Sequence, residues 1–380
     1  MAQIRIPFNK PYVTGKEYEY LARAAESGHI SGDGPFSKRC QELLEKDLGV
    51  PRVLLTTSGT AALEMAALLF RVGAEDEVIL PSFTFVSTAN AFYLRGARLV
   101  FADIKPDTLS LDEDALPGLV SERTRVIIPV HYGGVGCQMD AVMDCARRRG
   151  IRVVEDAAQA LGVFYRDRSL GTFGDLAVLS FHETKNLQCG EGGALIINDR
   201  SLIERAEIIR EKGTDRSKFF RGETDKYTWV DLGSSYLPSD LLAAFLFAQL
   251  EQAGDLAARR RKLFETYREC LEPLERQGRL RLPVIPSGYR SNFHLFYLLL
   301  DEPEQRNRLM HFLRAKGILA VFHYLPLHLS PVGRSLGYKE GQFPVTESVS
   351  ARLLRLPLYY ELTEADQGEV IQAVTDFFRS

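Results

Sequence analysis

Three short segments carry residue types that, taken together, define one chemistry. Lys185 lies in FHETKNLQCGEGG (residues 181–193), between an apolar run of strand character and a turn holding Gly190, Gly192 and Gly193. Asp156 closes another such run in VVEDAAQA, and α/β sheets bind ligands at that carboxyl end of their strands. Ser58-Gly59-Thr60 stands where a third run turns into an Ala- and Leu-rich segment. Small residues, hydroxyls and free backbone N–H groups at a helix start suit an anion. Each segment alone is ordinary, since strand-end lysines are usually solvated and Ser-Gly-Thr is equally an N-cap. Their order gives them weight. An amine that adds to an aldehyde, a carboxylate that keeps a ring nitrogen protonated, and a phosphate cradle are the three demands of pyridoxal 5'-phosphate. Ser180, five residues before Lys185, adds a second hydroxyl to the cradle.

The elements that must position these residues follow from hydrophobic patterning. Short β-branched or Leu-rich runs at 53–57, 77–80, 98–102, 126–130, 151–154, 176–181 and 194–197 alternate with helical stretches at 58–70, 84–94, 112–120 and 139–149. Strands without polar alternation are buried on both faces, which predicts an α/β fold with a largely parallel sheet covered by helices. After residue 235 the character changes. DLLAAFLFAQL (240–250) and a long amphipathic segment (256–274) lead to a strand at 293–300, a helix at 304–316 and a strand-like run at 318–324. The predicted division is a large cofactor domain, residues 1–250, and a smaller α+β domain, residues 251–380.

Composition excludes several classes. The chain has 380 residues with 47 Lys plus Arg against 50 Asp plus Glu, so no general nucleic-acid partner is expected. Its five cysteines form no CxxC pair and fit a reducing compartment. The seven histidines have no metal-ligand spacing, and no segment has the length of a signal peptide or membrane span. The expectation is a cytoplasmic protein that binds no metal and no membrane.

SGTAALEMAA, PSFTFVSTANA, EDAAQALG, SFHETKN and GEGG, with the opening SGHISGDGPFSKRCQ, together resemble the sugar aminotransferases of the DegT/DnrJ/EryC/StrS family. The resemblance runs over nearly the whole chain. It implies the type I aminotransferase fold and a homodimer whose active site lies at the subunit interface. By position, it makes Lys185 the lysine that bonds the cofactor and shuttles the proton. Asp156 would pair with the pyridine nitrogen and Gln159 with the ring hydroxyl; Gly59, Thr60 and Ser180 would hold the phosphate. Phe85 falls where an aromatic ring stacks on the cofactor, although a core position is the plainer reading of a Phe at an apolar helix start. One departure concerns GSSYLPSD, where many members carry an Asn given by the partner subunit to the phosphate. Here that position is Ser235, and Leu237 follows where a basic residue is common.

GSSYL, SFHETKN, FVSTANAF, DKYTW and VFHYLPLH further resemble a subgroup that aminates a dTDP-sugar, dTDP-4-dehydro-6-deoxy-D-glucose, with L-glutamate as amino donor. Ser31 and Gly32, in a Gly-rich loop, and His323 and His328 are expected substrate contacts. A different dTDP- or UDP-linked 3-keto or 4-keto sugar is the alternative acceptor. A non-catalytic regulatory member of the fold is disfavoured by the joint presence of Lys185, Asp156 and Gln159.

Overall fold

The computed structural model describes residues 3–379. Its centre is a seven-stranded sheet formed by β1 (Arg52–Thr56), β2 (Glu77–Pro81), β3 (Arg98–Ala102), β4 (Thr124–Ile127), β5 (Arg152–Asp156), β6 (Leu176–Ser180) and β7 (Gly193–Ile197). The order across the sheet is β1-β7-β6-β5-β4-β2-β3. Only β7 runs against its neighbours β1 and β6; the other pairings are parallel. This is the mostly parallel α/β sheet that the apolar runs predict. Alternate residues feed two cores, one on each face. Leu55, Ile79, Ile127, Val153 and Ile196 face one; Leu54, Val78, Val126, Val154 and Leu195 face the other, as the period of two along a strand requires.

The apolar segment DLLAAFLFAQL forms the Asp240–Glu251 helix. The helix belongs to the core. Ala243, Ala244, Leu246, Phe247, Ala248 and Leu250 are all buried within the chain. The first residue of this helix serves its neighbour. Asp240 accepts from the Phe36 N–H at 3.2 Å, the Ser37 N–H at 2.7 Å and the Ser37 hydroxyl at 2.7 Å, capping the Pro35–Leu48 helix.

A third core gathers Leu263, Phe264, Tyr267, Phe296, Leu298, Leu309, Leu354 and Val370, with Ile6 from the start of the chain. It covers a small antiparallel sheet in which β9 (Tyr297–Leu300) lies between β8 (Leu280–Arg281) and β10 (Leu353–Arg355). The strand-like run at 318–324 differs from expectation. It makes only single bridges, Ile6 with Ile318 and Val321 with Arg355. Beyond Val321 the chain leaves the sheet, because His323 and Tyr324 turn toward polar partners on the large sheet's rim. No helix among the described residues is long and apolar enough to cross a membrane.

Candidate active site

The carboxyl rim of the large sheet assembles the site. Gly193 pairs with Thr56 on one side and with Ser180 on the other. A Cβ on Gly193 would lie 2.3 Å from the Ser58 carbonyl carbon and 2.4 Å from the Gly59 nitrogen, so only glycine lets the Ser-Gly-Thr turn rest on β7. A Cβ on Gly59 would meet Ser180 Cβ at 3.2 Å and the Leu179 carbonyl oxygen at 3.3 Å. Gly59 and Ser180 are thereby brought together, with Thr60 beside them in the first turn of the Gly59–Leu69 helix. The Ser58 hydroxyl oxygen accepts from the Ala61 N–H at 3.0 Å. The first N–H groups of a helix have no intrahelical partner, which leaves those of Gly59 and Thr60 to an anion. Thr60 donates its hydroxyl to Ser87 Oγ at 2.8 Å.

Asp156 ends β5, buried. Its Oδ2 accepts from the Thr88 hydroxyl at 2.7 Å and its Oδ1 from the Ala158 N–H at 3.2 Å. Thr84 stands behind Thr88, hydroxyl to hydroxyl at 2.9 Å. Gln159 is fixed at both ends of its amide: Oε1 accepts from the Gly133 N–H at 2.8 Å, and Nε2 donates to the Tyr324 hydroxyl at 3.0 Å. Tyr324 in turn lies against His323, ring centroids 3.4 Å apart, and His323 Nδ1 meets the Tyr132 hydroxyl at 2.9 Å. Burial pushes the hydroxyls of Tyr132 and Tyr324 above their ordinary range and holds the His323 imidazole well below its own. These groups therefore act as neutral hydrogen-bonding partners near pH 7.

Lys185 opens into a small cleft shared with Ala158, Gln159, Ser180, Asn186 and His294. Burial draws its amine from 10.5 down to about 8; the Asp156 carboxylate opposes that change and the Arg355 charge adds to it. The next residue is locked in place. Asn186 Nδ2 donates to the Asn292 carbonyl at 2.9 Å, and its Oδ1 pairs with His294 Nδ1 at 2.8 Å. Phe85 precedes the Val86–Tyr93 helix and is 58% exposed, its ring centroid 6.3 Å from that of Tyr324. The core position is excluded; Phe85 offers an open flat face.

The remaining residues are more distant from this cluster. His328 is a correction. It is 0% exposed, its Nδ1 paired with Ser82 Oγ at 2.7 Å and its Nε2 with Glu347 at 3.1 Å. With both nitrogens occupied and no open face, it fastens two segments together and does not meet substrate. Ser31 and Gly32 lie on a surface loop packed against Leu237 and Pro238 and tied by the Asp240 N–H to the Ile30 carbonyl at 3.1 Å. Ser235 is exposed and bridges Glu211; the next carbonyl, of Tyr236, accepts from the Thr57 N–H at 2.9 Å. Thr88, Tyr132 and Arg355 are site neighbours that motif reading missed. Thr84 and Thr88, four apart in the stretch TFVSTANAFYL, were the available signal, because buried hydroxyls need acceptors.

The residues fit pyridoxal 5'-phosphate: a cradle closed to any Cβ, a desolvated amine, and a buried carboxylate held by two donors. Fold and site define an aminotransferase of the pyridoxal-phosphate class. The chain belongs to the DegT/DnrJ/EryC1/StrS aminotransferase family, whose model matches residues 11–375, and it is a pyridoxal-phosphate-dependent sugar aminotransferase. It is 32% identical to the spore coat polysaccharide biosynthesis protein SpsC of Bacillus subtilis, over 98% of this chain and 97% of that one. Among solved structures it resembles the PMP form of the putative sugar aminotransferase Spr1654 from Streptococcus pneumoniae, with a TM-score of 0.92, 26% identity and 99% of each chain covered. S. venezuelae DesV matches over 100% of each chain, with a TM-score of 0.90 and 30% identity.

Proposed function

We propose that the enzyme moves the amino group of L-glutamate to C4 of dTDP-4-dehydro-6-deoxy-D-glucose, giving dTDP-4-amino-4,6-dideoxy-D-galactose and 2-oxoglutarate. The observation that carries the reading is the Lys185 side chain opening into one cleft with Gln159 and Ser180, within electrostatic reach of Asp156, where burial lowers its amine to about 8. An amine near neutrality can both bond an aldehyde and carry protons. The segments GSSYL, DKYTW and VFHYLPLH support the acceptor, through their likeness to the transaminase of enterobacterial common antigen biosynthesis.

Bound pyridoxal phosphate supplies an electron sink for the carbanion formed at the reacting carbon. The chain's own groups do the rest. Gly59, Thr60 and Ser180 would hold the phosphate, and Phe85 would stack on the ring. Asp156 would keep the ring nitrogen protonated, and Gln159 would meet the ring hydroxyl. Lys185 Nζ removes the proton from the donor carbon and later returns a proton to the sugar carbon on one face. Tyr324 braces Gln159, and His323 beside it is the expected sugar contact.

A homodimer with Ser235 reaching the partner's phosphate site is part of the proposal. Its support is the apolar surface that one chain leaves open, with Trp229 79% exposed and Phe220, Tyr227, Val230 and Leu232 also exposed. The division into a cofactor domain to residue 250 and a smaller domain beyond is supported by the separate third core. A cytoplasmic setting suits five free cysteines.

The test is turnover of dTDP-4-dehydro-6-deoxy-D-glucose with L-glutamate, with the product identified by NMR. A 3-amino product, or none, refutes the acceptor assignment. Lys185→Ala should abolish turnover while the cofactor still binds without a covalent link.

A further inference from the structure

Arg355 ends β10 beside the site. Its N–H donates to the Val321 carbonyl at 2.8 Å, and one guanidinium nitrogen donates to the Phe322 carbonyl at 3.1 Å, next to His323. The guanidinium lies over the Phe8 ring at 4.5 Å. Among the described residues no carboxylate pairs with it, and its Nε is buried with no acceptor. Arg210, whose Nε is likewise buried without an acceptor, has a carboxylate partner in Asp33 beside its bonds to Gln41 and the Leu55 carbonyl, and Arg260 spends its donors on the carbonyls of Phe293 and His294. The groups that feel the Arg355 charge are Lys185, His294, His323, Tyr132 and Tyr324. All of them belong to the chamber around Lys185. A cation taken from water is costly unless an anion meets it. Here that anion must come with a ligand.

We infer that Arg355 is the donor-binding residue, its guanidinium receiving a carboxylate of L-glutamate. This rests on the transaminase reading and deepens it. The two substrates carry their charge differently. In an amino acid a carboxylate is bonded to the reacting carbon itself, so a charge beside Lys185 meets it at once. In a nucleotide-linked 4-keto sugar the pyranose ring separates the reacting carbon from the phosphates. The planar fork of a guanidinium also matches a carboxylate in two parallel bonds.

The experiment uses the cofactor-loaded enzyme with Arg355→Gln and Arg355→Lys. Glutarate, which has the carbon skeleton of glutamate and no amine, is titrated by calorimetry. Loss of a charge-assisted pair predicts binding weaker by roughly tenfold or more in the Gln variant, with partial recovery in the Lys variant. In single turnovers followed by cofactor absorbance, the half-saturating glutamate concentration rises by a similar factor. The acceptor half-reaction, begun from the aminated cofactor and the keto sugar, changes less than the donor half-reaction, and only as far as the Lys185 amine, relieved of the Arg355 charge, shifts its pH profile upward. Unchanged glutarate affinity in the Gln variant overturns the inference, as does an equal fall in both half-reactions. If the wild-type enzyme reacts with glutamate through Arg355 but aminates no dTDP-sugar, the acceptor assignment fails and the role of Arg355 stands.

Discussion

Thr88 donates its hydroxyl hydrogen to Oδ2 of Asp156 at 2.7 Å, so the carboxylate at the end of β5 is held from the neighbouring Val86–Tyr93 helix. Thr88→Val keeps the shape and removes the donor. A hydrogen bond to a charged group contributes about 1.5–3 kcal/mol. Cofactor affinity should therefore fall by roughly tenfold or more, measured by titrating apo-protein with pyridoxal phosphate. An unchanged dissociation constant would mean that the Ala158 N–H holds Asp156 by itself.

The Lys185 amine sets a pH profile. Burial lowers it from 10.5 to about 8, and only its neutral form adds to an aldehyde. Cofactor capture by apo-protein should speed up about tenfold per pH unit below 8 and level off above it. His294 and His323 are held well below their usual range, so they stay neutral through this window. The sign carries over to stability. Between about 8 and 10.5 the unfolded chain binds the extra proton, so apo-protein gains stability as pH rises there. Lys185→Met should remove both the rate profile and that part of the pH dependence.

Gly193→Ala tests the cradle. Its Cβ would meet backbone at 2.3 Å, with no flexible side chain to give way. Overpacking of this kind costs about 1–3 kcal/mol, and it should separate the Ser-Gly-Thr turn from β7. Melting with and without cofactor should show a lower transition and a smaller shift on cofactor addition. Gly254→Ala, which meets nothing within 4 Å, is the control and should melt within about 0.5 kcal/mol of wild type.

His328→Leu distinguishes fastening from catalysis. Breaking its pairs with Ser82 and Glu347 leaves buried polar groups unmet and should destabilise the chain by about 1–3 kcal/mol in denaturant unfolding. The half-saturating sugar concentration should not move. A rise in that value at unchanged stability would restore His328 as a substrate contact.

The strands of the large sheet were legible because each is a short apolar run buried on both faces, and Lys185, Asp156 and Ser180 lie on or just beyond their ends. What could not be read was long-range pairing. β10 has only three residues, and Ile6 joins the distant third core through one bridge to Ile318. Neither leaves a periodic trace. His328 was misread for a related reason. A histidine in an apolar run looks the same whether its nitrogens face a ligand or a serine from 246 positions away. Arg355 was missed because its importance lies in a counter-ion it lacks, and no motif records that.

The reversed direction of β7 gives the two halves of the site different histories. The chain leaves the rim after β6 and returns to it at Gly193, closed by the Phe181 N–H to the Gly192 carbonyl at 2.8 Å and the Cys189 N–H to the Phe181 carbonyl at 2.9 Å. The loop bearing Lys185 is thus a local construction with little closure entropy to overcome. The cradle is the opposite, since Ser58 meets Gly193 only after more than a hundred intervening residues have been placed. A cofactor bonded to Lys185, with its phosphate on Gly59 and Thr60, would act as a rivet across the seam between β1 and β7. In its absence, amide exchange should begin along that seam.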